Sequence, residues 1–427
     1  MDADLPDYDM LDFFTDRAVI DDPYPYYTHV RAGCPVRHHR LHDVALVTGF
    51  QQGVEVYGDL EHYSSVNAVN GPLPPLPFRP HGDDITDQIE AHRAQLPMTD
   101  LLVTFDGPDH TRFRALVVQI FTPARLRALE PAFRTIADRL IDEFAETGAV
   151  ELVRGYGVPF AGLVIADLLG VPQADRAWFR EVFDHQPRLD QAENRENYNP
   201  LAFLDDKFTD YMAERRAVPR DDILSEIANA TLIDGSRPTL EQAVSVATFL
   251  FGAGQETTAK LLASAMQILA ERPDLQARVR ADRSLLPDLI EEVLRFEGPV
   301  KTSSRLVRKT TELAGVTLDA GTHVALLSGA MNRDPAKFEC PDEFRLGRPR
   351  VREHLGFGRG AHTCPGAQLA RYEVRISLDR LLDRMADIRI SEEHHGPPDA
   401  RRFRQEPGYV LRGVRRLHLR FTPSRAG

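Results

Sequence analysis

Cysteine is scarce in this chain: Cys34, Cys340 and Cys364 are the only three among 427 residues, and no two stand at CxxC spacing. A disulfide framework and a cysteine-rich zinc site are thereby excluded as what holds the fold together. Long apolar runs are missing as well, the longest, such as Ala115 to Val118, falling far short of the ~18 residues of a membrane span. An excess of positive charge is also absent. The 52 Lys+Arg against 64 Asp+Glu leave a net charge of -12, which argues against nucleic acid or an anionic membrane as the main partner. The N-terminus, Met1 to Asp4, is acidic with no apolar stretch behind it, so no secretory or organellar leader is expected and a cytoplasmic location follows. What remains, 42% hydrophobic and 27% charged residues, is the composition of an ordinary globular protein rather than a disordered or coiled-coil one.

No internal repeat and no Gly/Ser linker divides the chain, and the motifs that cooperate below run from residue 110 to residue 364. One large domain over 1–427 is expected, mainly α with small β-sheets. The pattern from Leu240 to about Glu271 is helical, opened by Thr239 with Gln242 three residues on and stopped at Pro273. At 1.5 Å per residue such a helix is a rod of roughly 48 Å, long enough to cross a whole domain. Its scarcity of charge from Ala243 to Gln255 predicts burial on most sides. Further helices are predicted at Pro123 to Phe144, Leu285 to Phe296 and Ala367 to Met385, with short strands at Val44 to Val47, Val316 to Thr317, Val324 to Leu327 and Leu417 to Phe421. Five prolines between 72 and 80 and a polar run to Arg93 predict a long surface excursion with little regular structure.

The segment from His354 to Arg371, HLGFGRGAHTCPGAQLAR, is the most informative. Three glycines precede Cys364, Pro365 and Gly366 follow it, and an amphipathic helix starts at once. The loop therefore delivers one cysteine to a helix N-terminus, where backbone N–H groups and the helix dipole favour the thiolate. A thiolate so placed is a nucleophile or a metal ligand. A buried structural cysteine would not explain why glycines clear one face of the loop.

The arrangement Phe357-x-x-Gly360-x-x-x-Cys364-x-Gly366, with Gly358 and His362 inside it, resembles the haem-binding loop of the cytochrome P-450 family of haem-thiolate monooxygenases. The resemblance implies a long central helix over the haem, with haem b (iron protoporphyrin IX) as cofactor and Cys364 as the proximal iron ligand, whose thiolate pushes electron density toward O–O cleavage. Three further motifs agree with it. Glu292-x-x-Arg295 matches the family's helical Glu-x-x-Arg, which locks the core around the cysteine loop with an arginine from the following segment; where many members carry that arginine this chain has Glu343, and Arg348 is the expected third member. Ala253-Gly254-x-Glu256-Thr257-Thr258 matches the family's oxygen-side motif, with Glu256 and Thr257 implied as catalytic residues. His110 and Arg114, four apart on a helix, together with Arg305 and His362, occupy the positions the family uses to hold the haem propionates. His38 and His42, also four apart, lie in a β-like segment and read as surface or core histidines.

By the same resemblance the substrate is a small organic molecule and electrons come from a ferredoxin or flavodoxin with its NAD(P)H-dependent reductase, because no flavin or nicotinamide segment follows the haem loop. Arg112, Arg359 and Arg371 are the expected docking cations for an acidic donor. Substrate walls are expected from the Pro72 to Arg93 excursion, from Phe183 to Phe208, and from Phe249, Leu250, Thr302, Ser303, Tyr409 and Val410. The mostly apolar lining suits an apolar or amphipathic compound. Two other readings stay open: a peroxygenase, isomerase or other reaction on the same fold, and a non-catalytic haem-binding protein. The pairing of an acid with an alcohol at Glu256-Thr257 favours dioxygen chemistry.

Overall fold

The computed structural model describes residues 7–424 apart from 70, 97 and 182–200. The predicted wall segment from Phe183 therefore lies outside the described residues as far as 200. Helices dominate, and the longest, Leu240–Glu271, runs through the middle of the largest apolar core. Its start is the predicted capping box: the Gln242 N–H donates to the Thr239 hydroxyl at 3.2 Å and the Thr239 N–H donates to the Gln242 side chain at 2.9 Å. It ends one residue before Arg272 and Pro273, the latter opening the next helix, Pro273–Ala281.

Around this rod pack helices Val158–Leu169, Ala202–Ala217, Leu286–Glu297 and Ala367–Arg384. Helix Pro123–Asp142 backs the last of these from outside. Burial of the central helix is nearly continuous through Phe251 and resumes at Thr258, but between 252 and 257 only Gln255 is buried. The expectation of a middle buried on most sides thus holds except for this short notch, where the small Ala253 is exposed, while Gly252 and Gly254 make room for the side chains of Leu201 and Ile165.

The strands form a separate layer. Val44–Val47 pairs in parallel with His323–Leu326 and antiparallel with Val36–His38. The sheet continues through Ser303–Val307 to Tyr63–Ser64. A second sheet joins Ala149–Glu151, His418–Pro423 and Met385–Ile390, and a two-stranded hairpin, Thr311–Leu313 with Val316–Leu318, turns at Ala314 and Gly315, both at positive φ as its tight turn demands. The predicted elements are present with ends shifted by a residue or two.

One expectation needs correction. The excursion after Pro72 is more regular than its prolines imply: helix Thr86–His92 and a short 3-10 turn, Arg93–Gln95, occupy its second half. Ile85 and Ile89 are buried against Val66 and Leu306, and the Ile85 N–H donates to the Arg308 carbonyl, so this part is pinned to the sheet. His38 is exposed and His42 half-buried, within the surface-or-core placement expected of them. His39 stacks on His42, which hydrogen-bonds Asp12 at 2.9 Å, and both rings lie against Phe14. Asp12 is already engaged by the Phe14 N–H and the Thr15 hydroxyl, and His39 Nδ1 accepts from the Leu41 N–H, so the group pins the N-terminal segment to the sheet.

Candidate functional site

Cys364 sits where the sequence places it, at the end of a glycine loop and three residues before helix Ala367–Arg384. Its N–H donates to the Phe357 carbonyl at 2.9 Å, closing the loop on itself. Gly358 and Gly360 adopt φ of 66° and 71°, and a Cβ on Gly360 would stand 2.5 Å from the Tyr57 carbonyl oxygen. Glycine is required there because the loop lies directly on helix Phe50–Gly58. The thiol itself departs from expectation. Burial pushes its pKa up, against the downward pull of the Gly366 N–H, Arg114 and Arg371. Desolvation outweighs these contacts, so ionising the free thiol is harder here than at a solvent-exposed helix terminus.

Two neighbouring acids on helix Leu286–Glu297 anchor the surroundings of the loop. Glu292, fully buried, accepts two bonds from Arg295 at 2.8 Å and is met from the other side by Arg348 Nε at 3.0 and 3.1 Å. Arg295 also donates to the carbonyls of Asn332, Pro341 and Glu343, which ties the irregular 332–348 segment to the helix. Glu343 turns its own carboxylate outward to Arg345. The second acid, Glu291, escapes a reading of sequence. It holds Arg371 at 2.5 and 3.0 Å and His354 at 3.1 Å. Burial raises its pKa, but the hydrogen bonds from His354 and Arg371 prevail and bring it to about 2. Arg371 is therefore an internal brace that also lies over the Phe357 ring at 4.7 Å, not a docking cation. Arg112 is likewise committed, to Asp234 at 3.0 Å and Asp109 at 3.4 Å.

The notch in the central helix presents Phe249, Ala253 and Thr257 at i, i+4 and i+8 on one stripe, with Glu256 beside it. The Thr257 hydroxyl donates to the Ala253 carbonyl at 2.8 Å, and Glu256, half exposed, reaches Lys260 at 2.5 Å. Thr258, on the opposite side, donates at 2.9 Å to Glu373 of the cysteine helix.

The family model "Cytochrome P450" matches residues 179–386. Cytochrome P-450 144 of Mycobacterium tuberculosis is 36% identical over 87% of this chain and 85% of its own length. The monooxygenase PikC of Streptomyces venezuelae is 32% identical over 95% and 92%. Among solved structures, cytochrome P-450 CYP150A6 of Mycobacterium marinum, substrate-free, superposes with a TM-score of 0.92 at 50% identity, covering 98% of this chain and 100% of its own. The chain belongs to the cytochrome P-450 family. It is a haem-dependent monooxygenase of the same fold as its bacterial relatives, and its cofactor is haem, iron protoporphyrin IX.

The residues of this cytochrome P-450 fit that group on a specific observation. Arg114, Arg305, His110 and His362 converge beside the cysteine loop, and among the described residues none of them forms an ion pair with a carboxylate. The His110 and His362 rings are 3.9 Å apart, Arg114 donates to the Thr363 carbonyl, and Arg305, only 4% exposed, donates to the Ser304 carbonyl at 2.7 Å and lies over the Tyr57 ring. Burial depresses all four pKa values, with repulsion between neighbouring cations adding to it at the two histidines, and brings His362 to about 3. Desolvated arginines without acids are costly alone and, with two imidazole donors beside them, are satisfied by a dianionic cofactor such as haem with its two propionates. Ser65, bonded to His362 Nε2 at 3.1 Å, and Tyr57 join this group and carry no sequence signal of their own.

The expected substrate residues divide. Phe249 faces the notch side of the helix, whereas Leu250 is part of the core. Thr302 donates to the Tyr409 carbonyl and Ser303 shares a 2.6 Å bond with Tyr57, so both hydroxyls are used internally. Tyr409 turns its ring into the aromatic cluster of Phe13 and Phe14, and the Val410 carbonyl accepts from the Lys301 N–H.

Glu373, 1% exposed, has its pKa pushed up to about 8 by burial, against a lowering bond from Thr258. It is neutral in the folded protein at pH 7, while an unfolded glutamate ionises near pH 4.5. The stability this neutral acid contributes is full below that value and is lost as pH rises toward 8, by about 5 kcal/mol at most. Glu373→Gln should therefore gain stability relative to the parent between pH 5 and pH 8 in denaturant melts. A difference that does not change with pH would show that Glu373 is ionised in the folded state.

Proposed function

We propose that Cys364 ligates the haem iron, that His110, Arg114, Arg305 and His362 hold the propionates, and that Glu256 and Thr257 deliver protons on the oxygen side. The observation that carries this reading is the group of two arginines and two histidines, buried or half-buried and without acids of their own, beside the loop that ends in Cys364. Haem, when bound, supplies the binding and activation of dioxygen. The protein's own contributions are electrostatic and steric. The glycines of the loop let backbone approach the sulfur, the Glu291 and Glu292 clusters hold the loop in place, and the small, exposed Ala253 would leave room for a diatomic ligand on the oxygen side. Thr257 keeps its hydroxyl oxygen at the mouth of the notch while its proton rests on the Ala253 carbonyl, available for relay when that bond breaks. Glu256, next to it and half in solvent, replenishes the proton.

The substrate proposed is an apolar or amphipathic small molecule, since Phe249 and the small residues of the notch offer surface but few free polar groups. A relative 29% identical, CYP109E1 of Bacillus megaterium, has been solved in complex with corticosterone, a largely apolar ligand. Electrons are proposed to come from a separate acidic ferredoxin or flavodoxin with its NAD(P)H-dependent reductase, in the cytoplasm. Among the described residues no helix is long and apolar enough to cross a membrane. With Arg112 and Arg371 engaged elsewhere, the docking cations are Arg350, Arg352 and Arg359, all exposed, on or just before the cysteine loop and in no ion pair among the described residues.

Three measurements test this function. The ferrous–CO complex should show the strongly red-shifted Soret band of thiolate ligation. Cys364→Ser should abolish that band while Cys34→Ala and Cys340→Ala keep it, and the reverse pattern overturns the assignment. Thr257→Ala should retain haem and substrate binding but send most reducing equivalents to peroxide or water; unchanged coupling of NAD(P)H to product would remove Thr257 from proton delivery. Arg352→Glu with Arg359→Glu should slow reduction by ferredoxin about tenfold at low salt and leave dithionite reduction intact. An equal loss with both reductants, or none with either, would place docking elsewhere.

A further inference from the structure

Lys260 is an unexpected neighbour for an acid that serves the oxygen side. It stands one turn beyond Glu256 on the central helix, is only 6% exposed, and its Nζ is 2.5 Å from the Glu256 carboxylate. A lysine buried in this way is stabilised only if its charge is answered. The second acid near it is Glu406, 3.9 Å away, which is itself 3.8 Å from Arg415. Glu406 lies at the neck of a C-terminal hairpin: its N–H donates to the Gly413 carbonyl, and Gln405 bridges Val414.

Gly413 shows that the neck is shaped for this lysine. A Cβ there would stand 2.7 Å from Lys260 Cγ and 3.0 Å from Cβ, the stiff base of the side chain and not its flexible tip. Glycine is thus the residue that lets the lysine stem pass between hairpin and helix. Beyond the neck, the hairpin tip is bound to the segment before Thr302. Val300 bridges Leu411, the Lys301 N–H donates to the Val410 carbonyl, and the Arg412 N–H donates to the Pro299 carbonyl. One continuous set of contacts therefore runs from the 299–302 segment through the hairpin and Lys260 to Glu256.

We propose that Lys260 is a positioning residue for Glu256, tying the acid of the notch through Glu406 and Gly413 to the C-terminal hairpin, so that the placement of the hairpin governs where the acid stands. This rests on the reading of Glu256 as a proton donor. The ion pair holds the carboxylate toward the C-terminal end of the notch, one turn from where the Thr257 hydroxyl is bonded, and a substrate that shifts the hairpin tip shifts the lysine's counter-charge with it. Glu406 and its neighbour Arg415 set how firmly the ammonium is held on the hairpin side.

The test uses the haem-loaded enzyme with Glu256→Gln, Lys260→Met, Lys260→Arg, Glu406→Gln and the double variant Lys260→Met/Glu256→Gln. Readouts are product formed per NAD(P)H, the solvent deuterium isotope effect on turnover, the substrate-induced spectral shift and the thermal midpoint. Lys260→Met keeps the buried stem and removes the charge, and should lower coupling about tenfold and raise the isotope effect as Glu256→Gln does. The double variant should be no worse than Glu256→Gln alone, because the lysine acts only through the acid. Lys260→Arg should recover most of the coupling, and Glu406→Gln should fall between parent and Lys260→Met. Gly413→Ala should change the spectral binding of substrate and coupling together, its effect on coupling vanishing in the Lys260→Met background. Parent-like coupling and isotope effect in Lys260→Met, where Glu256→Gln alters both, would overturn the proposal, as would losses that add in the double variant. If Glu256→Gln alters neither, the proton role of Glu256 is what fails. Should Lys260→Met lose its thermal midpoint altogether, the Arg and Glu406→Gln variants carry the same comparison.

Discussion

The buried carboxylate of Glu292 is the constraint on which the cysteine side of the molecule depends. The segment from 332 to 348 has almost no regular structure, so its carbonyls need donors that its own backbone does not provide. Arg295 and Arg348 supply them, and Glu292 neutralises both guanidinium groups in a place where neither could remain alone. Glu291, one residue earlier, extends the same device toward the loop itself through His354 and Arg371. Two successive acids on one helix thus hold opposite flanks of the loop that presents Cys364.

Charge balance also organises the cofactor side, but with the signs left open. Arg114, Arg305, His110 and His362 are crowded and have no acid of their own, and burial, with repulsion between neighbours at the two histidines, depresses the pKa values of all four. The thiol of Cys364 shows the complementary imbalance, pushed up by burial where a bound metal would hold it ionised. A dianionic cofactor carrying a cationic iron, placed as proposed, would answer both at once.

Two acids of opposite character flank the central helix. Glu373, reached through Thr258, is sealed in the core and neutral. Glu256, next to Thr257, is half in solvent and held by a lysine. Adjacent threonines therefore belong to different environments, one structural and dry, the other open to the notch. The helical period of 3.6 residues separates them, and the opening lies on the side of the exposed Ala253 only.

Much of this architecture is legible in the amino-acid sequence. The central helix can be read because its signals are local: a capping box at Thr239, Pro273 as a stop and a long stretch poor in charge. The cysteine loop is readable because its glycines answer to backbone geometry at their own positions, and the Glu292–Arg295 pair because residues three apart on a helix share a face. The regular second half of the proline-rich excursion leaves no such local mark, since Ile85 and Ile89 gain their burial from Val66 and Leu306, the second far away in the chain. Arg371 and Arg112 look like free cations in the sequence for the same reason: an arginine's partner lies across space, and only the fold brings Glu291 and Asp234 to them. Likewise Lys260 meets Glu406 and Gly413, almost 150 residues later, only because a C-terminal hairpin returns to the middle of the central helix. By itself the sequence determined the elements, the glycine loop that ends in Cys364 and the neighbouring Glu256 and Thr257 on the central helix, because these depend on neighbours along the chain. Tertiary structure alone decided which charges are spent on holding the protein together and which are left for a cofactor or a partner, because ionic contacts depend on distances that no local pattern encodes.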